Sequence, residues 1–391
     1  MPPVRQGVNV SEAAAYLDYQ GSTPVDPRVR DALIEALSHP GNASAEDHAF
    51  GWAAARRIED ARQSVARAIG ALEEEVTFTS GATEANNLAI LGAAVGSPAD
   101  RRRVLVSAIE HKSVLAPAQA LSARGFSVEL VPVGPDGLVD PGELRSRMAP
   151  DVAVVSIMAV NNEIGTIQPV ADLTEVAHEF GAFFHVDATQ ALCAQRVDVL
   201  QWKVDALSLS GHKIYAPGGI GALFVALEAP WRPQPLVHGG GQERGLRAGT
   251  VPAALCAALG EACRLIVGEG ANERAAVAAL RDGLEAALRG IFPALKVTCA
   301  TSPRHPGALH VRFPGIDAAD LLMRLQPRVG ASTGSACNSG IIGPSHVPLA
   351  LGMSQEEAAQ CVRFSVGRFS GPTDIEIATD ALRSVLLKRA A

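Results

Sequence analysis

Between about residues 60 and 225, short and almost purely apolar runs alternate with segments of helical periodicity. Glu75 to Thr79 (EVTFT), Arg103 to Ser107 (RVLVS), Phe126 to Val131 (FSVELV) and Val152 to Met158 (VAVVSIM) read as strands. So do Phe183 to Asp187 (FFHVD), Ala206 to Ser210 (ALSLS) and Gly221 to Val225 (GALFV), with a helix from Val170 to Phe180 among them. Strands that are apolar on both faces are covered on both faces, which predicts an α/β fold built on a mostly parallel seven-stranded sheet. In such folds ligands gather at the carboxyl ends of the strands, and the polar clusters of this chain fall there.

After Val251 the texture changes. An Ala/Leu/Arg-rich stretch from Ala253 to Arg289 reads as one or two helices. Short strands at Ala308 to Phe313 and Val362 to Val366 follow, with a closing helix from Pro372 to Leu387. We expect a large domain over residues 19–262 and a smaller α+β domain from residues 1–18 and 263–391, the latter carrying a Gly/Ser-rich loop at about 330–343.

The composition excludes several function classes. A net charge of −7 leaves no basic surface for holding nucleic acid by phosphate neutralisation. Arg101-Arg102-Arg103 reads as a solvated turn. No apolar stretch reaches membrane-spanning length, since Glu261 and Arg264 interrupt the best one, and residues 1–10 carry no secretory pattern; a cytoplasmic protein is expected. The six cysteines are dispersed without a C-x-x-C pair, so neither a disulfide framework nor a metal site is expected. No P-loop occurs, and His178-Glu179 lacks the second histidine of a zinc protease.

Six constellations carry possible chemistry, each beside a plainer reading. Lys213, in Ser210-Gly211-His212-Lys213, ends a buried strand; a desolvated lysine can form a Schiff base, and the alternative is the start of a solvated loop. Ser80 to Glu84 (SGATE) joins a strand to a helix, where free N–H groups suit a phosphate or simply make a helix cap. Asp187, before Ala188-Thr189-Gln190, is placed to hold a protonated ring nitrogen or to cap the next helix. His111, between Glu110 and Lys112, can stack on a flat ring, move a proton, or sit in a surface loop. Cys337 lies in a small-residue loop from Ser332 to Gly340, where exposure suits a reactive thiol, although a chance loop cysteine reads the same way. Arg363 interrupts an apolar strand, and its burial calls for a carboxylate partner.

Taken together these segments resemble the cysteine desulfurases, in the class V aminotransferase group of fold-type I pyridoxal-phosphate enzymes. The likeness runs from Tyr16-Leu17-Asp18-Tyr19 to Arg363-Phe364-Ser365-Val366. Its most specific pieces are Thr79 to Glu84, Val160 to Gly165 (VNNEIG), His185 to Gln190 (HVDATQ), Ser210 to Tyr215 (SGHKIY), Gly239 to Thr250 and Gly334 to Cys337. The resemblance implies that Lys213 holds pyridoxal 5'-phosphate, Asp187 pairs with the ring nitrogen and His111 stacks on the ring. It implies Gln190 and Asn162 at the ring hydroxyl, and Ala82, Thr83, Ser210 and His212 at the phosphate. Thr250 is expected to reach the phosphate of a neighbouring subunit in a homodimer. Arg363, with Asn162 and Asn42, is expected to bind the carboxylate of L-cysteine. Cys337 would take the sulfur as a persulfide and pass it to an acceptor protein in iron–sulfur assembly, tRNA thiolation or DNA phosphorothioation. Selenocysteine lyase, another class V enzyme and an inactive partner-binding scaffold are the alternatives. The chain departs from the family pattern at Gln20-Gly21-Ser22, where an Ala-Thr pair is commoner, and at Ala43, where many members have proline.

Overall fold

The computed structural model describes residues 14–334 and 343–387. Its strands in chain order are β1 (Ala15–Tyr16), β2 (Val76–Thr79), β3 (Arg103–Ser107), β4 (Ser127–Val131), β5 (Val152–Ser156) and β6 (Phe183–Asp187). They continue with β7 (Ala206–Ser210), β8 (Gly221–Val225), β9 (Lys296–Val297), β10 (Ala308–Arg312), β11 (Val329–Gly330) and β12 (Cys361–Ser365). Seven of them form one sheet in the order β2-β8-β7-β6-β5-β3-β4. Only β8 runs antiparallel to its neighbours, so the mostly parallel sheet is as expected. The interior strands β5, β6, β7 and β8 are buried at every residue, whereas the edge strand β4 is only partly buried. That is the burial pattern which near-continuous apolar runs dictate.

Several strand limits move by one or two residues. Glu73–Glu75 form a 3₁₀ turn, so β2 starts at Val76. β5 ends at Ser156, and the chain beyond it stays tied to β6 through Ile157 N–H to His185 O (3.1 Å) and Ala159 N–H to Asp187 O (2.9 Å). The arginine run is not a solvated turn. Arg101 donates to Val152 O (2.6 Å) and Phe180 O (3.0 Å), and Arg103 meets Asp151 (2.9 Å) and Glu129 (3.1 Å). Two backbone carbonyls hold Arg101, and two carboxylates hold Arg103.

The reversal of β8 positions the site. Gly221 at its start pairs with both Ser210 and Thr79, the carboxyl ends of β7 and β2. A Cβ on Gly221 would lie 2.6 Å from Gly81 Cα. Glycine therefore lets the turn after β2 settle onto the sheet edge, beside the segment that follows β7.

A second core surrounds the antiparallel sheet β9-β10-β12 and the helix Pro372–Leu387. Ala15 and Leu17 join this core, and β1 pairs with β11. The Ala253 segment is one helix, Ala253–Ile291. Its first half buries Cys256 to Ile266 in the large core, and its second half buries Val277, Leu284 and Leu288 in the second. Among the described residues, no helix is long and apolar enough to cross a membrane, and no cluster of His, Cys, Asp and Glu could hold a metal ion.

Candidate active site

The carboxyl ends of β2, β3, β5, β6 and β7 open into one cavity of about 630 Å³. At one end stands the helix Ala82–Gly96. Asp26, Asp140 and Asp317 cap other helices with their side chains, but Gly81 at this N-terminus supplies none. First-turn N–H groups at Ala82 and Thr83 thus face the cavity beside Ser210 and His212, a donor set that suits a phosphate dianion. Burial first, then the charge of Lys213, lowers the His212 pKa to about 4. The imidazole stays neutral at physiological pH and can serve as an N–H donor.

Asp187 lies buried at the end of β6. Its carboxylate accepts from Asn86 Nδ2 (2.8 Å) and from Thr189 N–H (3.0 Å). Asn86 Nδ2 also donates to Ser113 Oγ (2.8 Å), which contacts His111 Nδ1 (2.8 Å). That nitrogen accepts from the Ser113 N–H (3.1 Å), so the neutral ring carries its proton on Nε2. Burial lowers the His111 pKa, with Asp187 opposing. One buried amide therefore links the aspartate to the histidine.

Across the cavity, Lys213 Nζ donates to Gln20 O (2.6 Å) and Gly21 O (2.7 Å). Gln190 Nε2 donates to the same Gln20 carbonyl (3.0 Å). Arg363, buried in β12, donates to Asn162 O (2.8 Å) and meets the expected carboxylate in Asp18 (2.6 Å).

Ala82, Thr83, His111, Asn162, Asp187, Gln190, Ser210, His212, Lys213 and Arg363 all line this one cavity. Asn42 and Thr250 do not: both are exposed, and the Asn42 side chain accepts from Ser44 N–H (3.0 Å). Cys337 lies outside the described residues. Asp18, Gln20, Asn86, Ser113 and Thr189 were not singled out from sequence. Asn86 reads as one more polar residue of an apolar helix, and only the fold brings it to Asp187, 101 positions away.

The buried polar atoms Gln20 Oε1, Asn86 Oδ1, Thr189 Oγ1 and Arg363 Nε have no partner among the described residues, and Gln20, Thr189 and Arg363 line the cavity. Unsatisfied groups of this kind are rare unless a ligand meets them. An uncapped helix start, a buried aspartate, a histidine and a lysine amine around one cavity fit pyridoxal phosphate.

Comparison with known proteins agrees. The family model described as aminotransferase class-V matches residues 15–377. A probable mitochondrial cysteine desulfurase of Dictyostelium discoideum is 40% identical over 384 residues, 98% of this chain and 85% of that protein. A solved NifS-like protein superposes with a TM-score of 0.89 at 31% identity, over 96% of this chain and all of that one. A structure of SspA in complex with cysteine gives a TM-score of 0.81 at 34% identity, covering 92% of this chain and all of that one. With its class V fold and its cavity suited to the cofactor, the chain belongs to the pyridoxal-phosphate-dependent cysteine desulfurase family of the class V aminotransferases.

Proposed function

We propose that this protein converts L-cysteine to L-alanine, with the sulfur captured on Cys337 and passed to an acceptor protein. The observation that carries the reading is the convergence of Lys213, Asp187, His111 and Arg363 on one cavity in a chain of this family. Bound pyridoxal phosphate supplies an electron sink for the pair released when the substrate loses its Cα proton.

The chain's own residues do the rest. Arg363 and Asn162 hold the substrate carboxylate. Asp187, fixed by Asn86 and Thr189, holds a proton on the ring nitrogen. His111, neutral and with its proton on Nε2, would lie against the ring of the bound cofactor. Lys213 Nζ carries a proton to and from the substrate carbons. The Cys337 thiolate attacks the substrate sulfur: the S–S bond forms, the Cβ–S bond breaks, and Cβ takes the electron pair and a proton to become the methyl group of alanine. Cys337 is oxidised to the persulfide level and the substrate carbon is reduced, so no further oxidant is needed.

In this reading the enzyme is a homodimer in which Thr250, exposed on a single chain, completes the phosphate site of the second subunit; Asn42 assists at the substrate end. The chain is divided into a large domain (19–262) and a small domain (1–18 and 263–391) bearing the cysteine loop. Its five described cysteines are all free thiols, which suits a reducing compartment such as the cytoplasm. The acceptor belongs to iron–sulfur assembly, tRNA thiolation or DNA phosphorothioation, reached through a protein partner without direct DNA contact.

The test is alanine release from L-cysteine by cofactor-loaded enzyme, beside Lys213→Ala and Cys337→Ala. Both variants are expected to lose at least about a thousandfold in rate. Full activity of Cys337→Ala on L-cysteine would overturn the persulfide route in favour of a lyase of the selenocysteine type.

A further inference from the structure

The cavity contains an ion pair of which the proposed reaction uses only the arginine. Arg363 is fixed from both sides, its strand neighbours being His310 in β10 and Ser332 across an isolated bridge. Its guanidinium donates once to Asn162 O and once to Asp18 Oδ1, while Nε has no partner among the described residues. The Arg363 side chain is 5% exposed, whereas that of Asp18 is 25% exposed. Both line the cavity. The arginine meant for a substrate carboxylate therefore already faces a carboxylate of the protein, 2.6 Å away.

The turn that follows makes room for this arrangement. Gly21 N–H donates to Asp18 O (2.9 Å), which folds the chain back over the aspartate. A Cβ on Gly21 would lie 2.8 Å from Asp18 Cγ and 3.0 Å from Oδ1, closer than side chains tolerate. Alanine at this position would force the carboxylate to turn. The same turn presents the Gln20 and Gly21 carbonyls to Lys213. Glycine at residue 21 thus leaves the Asp18 carboxylate room to stand against Arg363.

We propose that Asp18 is a specificity-determining residue: a resident carboxylate that shares Arg363 with the ligand, so that the site admits amino acids with one carboxylate and rejects those that bring a second. The corner formed by Asp18 and Arg363 is close to neutral. An incoming α-carboxylate gains the N–H groups of Arg363 that the cavity exposes, and it meets the repulsion of Asp18 at close range. A ligand with a second carboxylate meets that repulsion twice, in a partly desolvated cavity where charges a few ångströms apart interact strongly. Asp18 therefore lowers affinity for the substrate class in exchange for charge discrimination. The inference rests on the reading of Arg363 as the carboxylate site.

The test is calorimetric binding of L-alanine, L-aspartate and cysteamine to holoenzyme, for the parent, Asp18→Asn and Gly21→Ala, beside KM and kcat for L-cysteine. Asparagine keeps an oxygen for Arg363 and removes the charge; Gly21→Ala keeps the charge and displaces it. Both variants are expected to bind L-alanine about tenfold tighter and L-aspartate more strongly still, by the Coulomb term for one unit charge at short range. Cysteamine, which has no carboxylate, should change by less than about twofold on the same argument. KM for L-cysteine should fall with the L-alanine constant. L-alanine affinity unchanged or weakened in both variants, or cysteamine shifting as far as L-alanine, would overturn the inference and make Asp18 a residue that merely orients Arg363. A parent that forms no alanine from L-cysteine, yet whose variants still tighten L-alanine, would defeat the desulfurase reading and leave this inference standing.

Discussion

Burial silences five of the six cysteines as nucleophiles. It pushes the Cys193, Cys263 and Cys361 thiols up to about 12 and Cys299 up to about 11, and it raises Cys256 as well. At pH 7.5 each is thiolate in less than about one part in a thousand, and the thiolate is the reacting form. Brief treatment of the native protein with iodoacetamide is therefore expected to label Cys337 and to spare the other five, as read by peptide mass spectrometry. Labelling of Cys193 at the rate of Cys337 would contradict this. Four of the residues that sequence alone could find share one property: Lys213, Asp187, His111 and Ser210 stand at or just past the ends of apolar strands, where a polar side chain has few other reasons to be. Asp18 and Asn86 were hidden, because their partners Arg363 and Asp187 lie 345 and 101 positions away and no local pattern announces such contacts.

Among the elements, the helix Ala49–Ile69 and the segment after β8 are joined by a buried ion pair that also holds β2. Arg62, on the helix Ala49–Ile69, meets Glu243 at 2.8 Å, and both side chains are almost fully buried. Glu243 also accepts from Phe78 N–H in β2 (2.7 Å), while Arg62 donates to Val76 O (2.8 Å). Glu243 holds this position with a φ of 48°, so the contacts sustain a backbone conformation that costs about 1 kcal/mol or more. Removing one partner leaves a buried charge unpaired. Arg62→Met is expected to cost about 3–5 kcal/mol in urea unfolding, and a loss below about 1 kcal/mol would show the pair to be solvated in solution. Because β2 leads directly to Gly81 and Ala82, the same variant should weaken cofactor retention. At this scale the sheet was legible, since strands buried on both faces carry their own signal. The single helix Ala253–Ile291 was legible only as one or two helices. It passes from one core to another, and its pattern of burial changes where it leaves the first.

Considered whole, the molecule joins two cores at a charged seam. Asp26 meets Arg28 (2.9 Å) and Arg368 (2.7 Å), and Arg368 reaches Glu273 (2.8 Å) on the helix the cores share. The second core contains His310, and burial, with Arg363 adding to it, lowers its pKa to about 3. A histidine with a depressed folded pKa binds its proton more readily in the unfolded chain. Its contribution to stability is complete above its ordinary pKa of about 6.5 and is lost as pH falls below that value. Glu110 and Glu163, raised by burial, act in the opposite sense, so the histidine's share is best read by difference. The parent is expected to lose more stability than His310→Asn between pH 7 and pH 4.5, by on the order of 2 kcal/mol. Parallel pH profiles would contradict that. In the proposed function the two cores serve one event, the movement of sulfur from L-cysteine to Cys337, and a single turnover with ³⁵S-labelled L-cysteine tests that proposal most directly. The account predicts one label per active site, on the peptide containing Cys337, released by reductant and absent in Cys337→Ala. Label that leaves as free sulfide at the same rate in both proteins would contradict it.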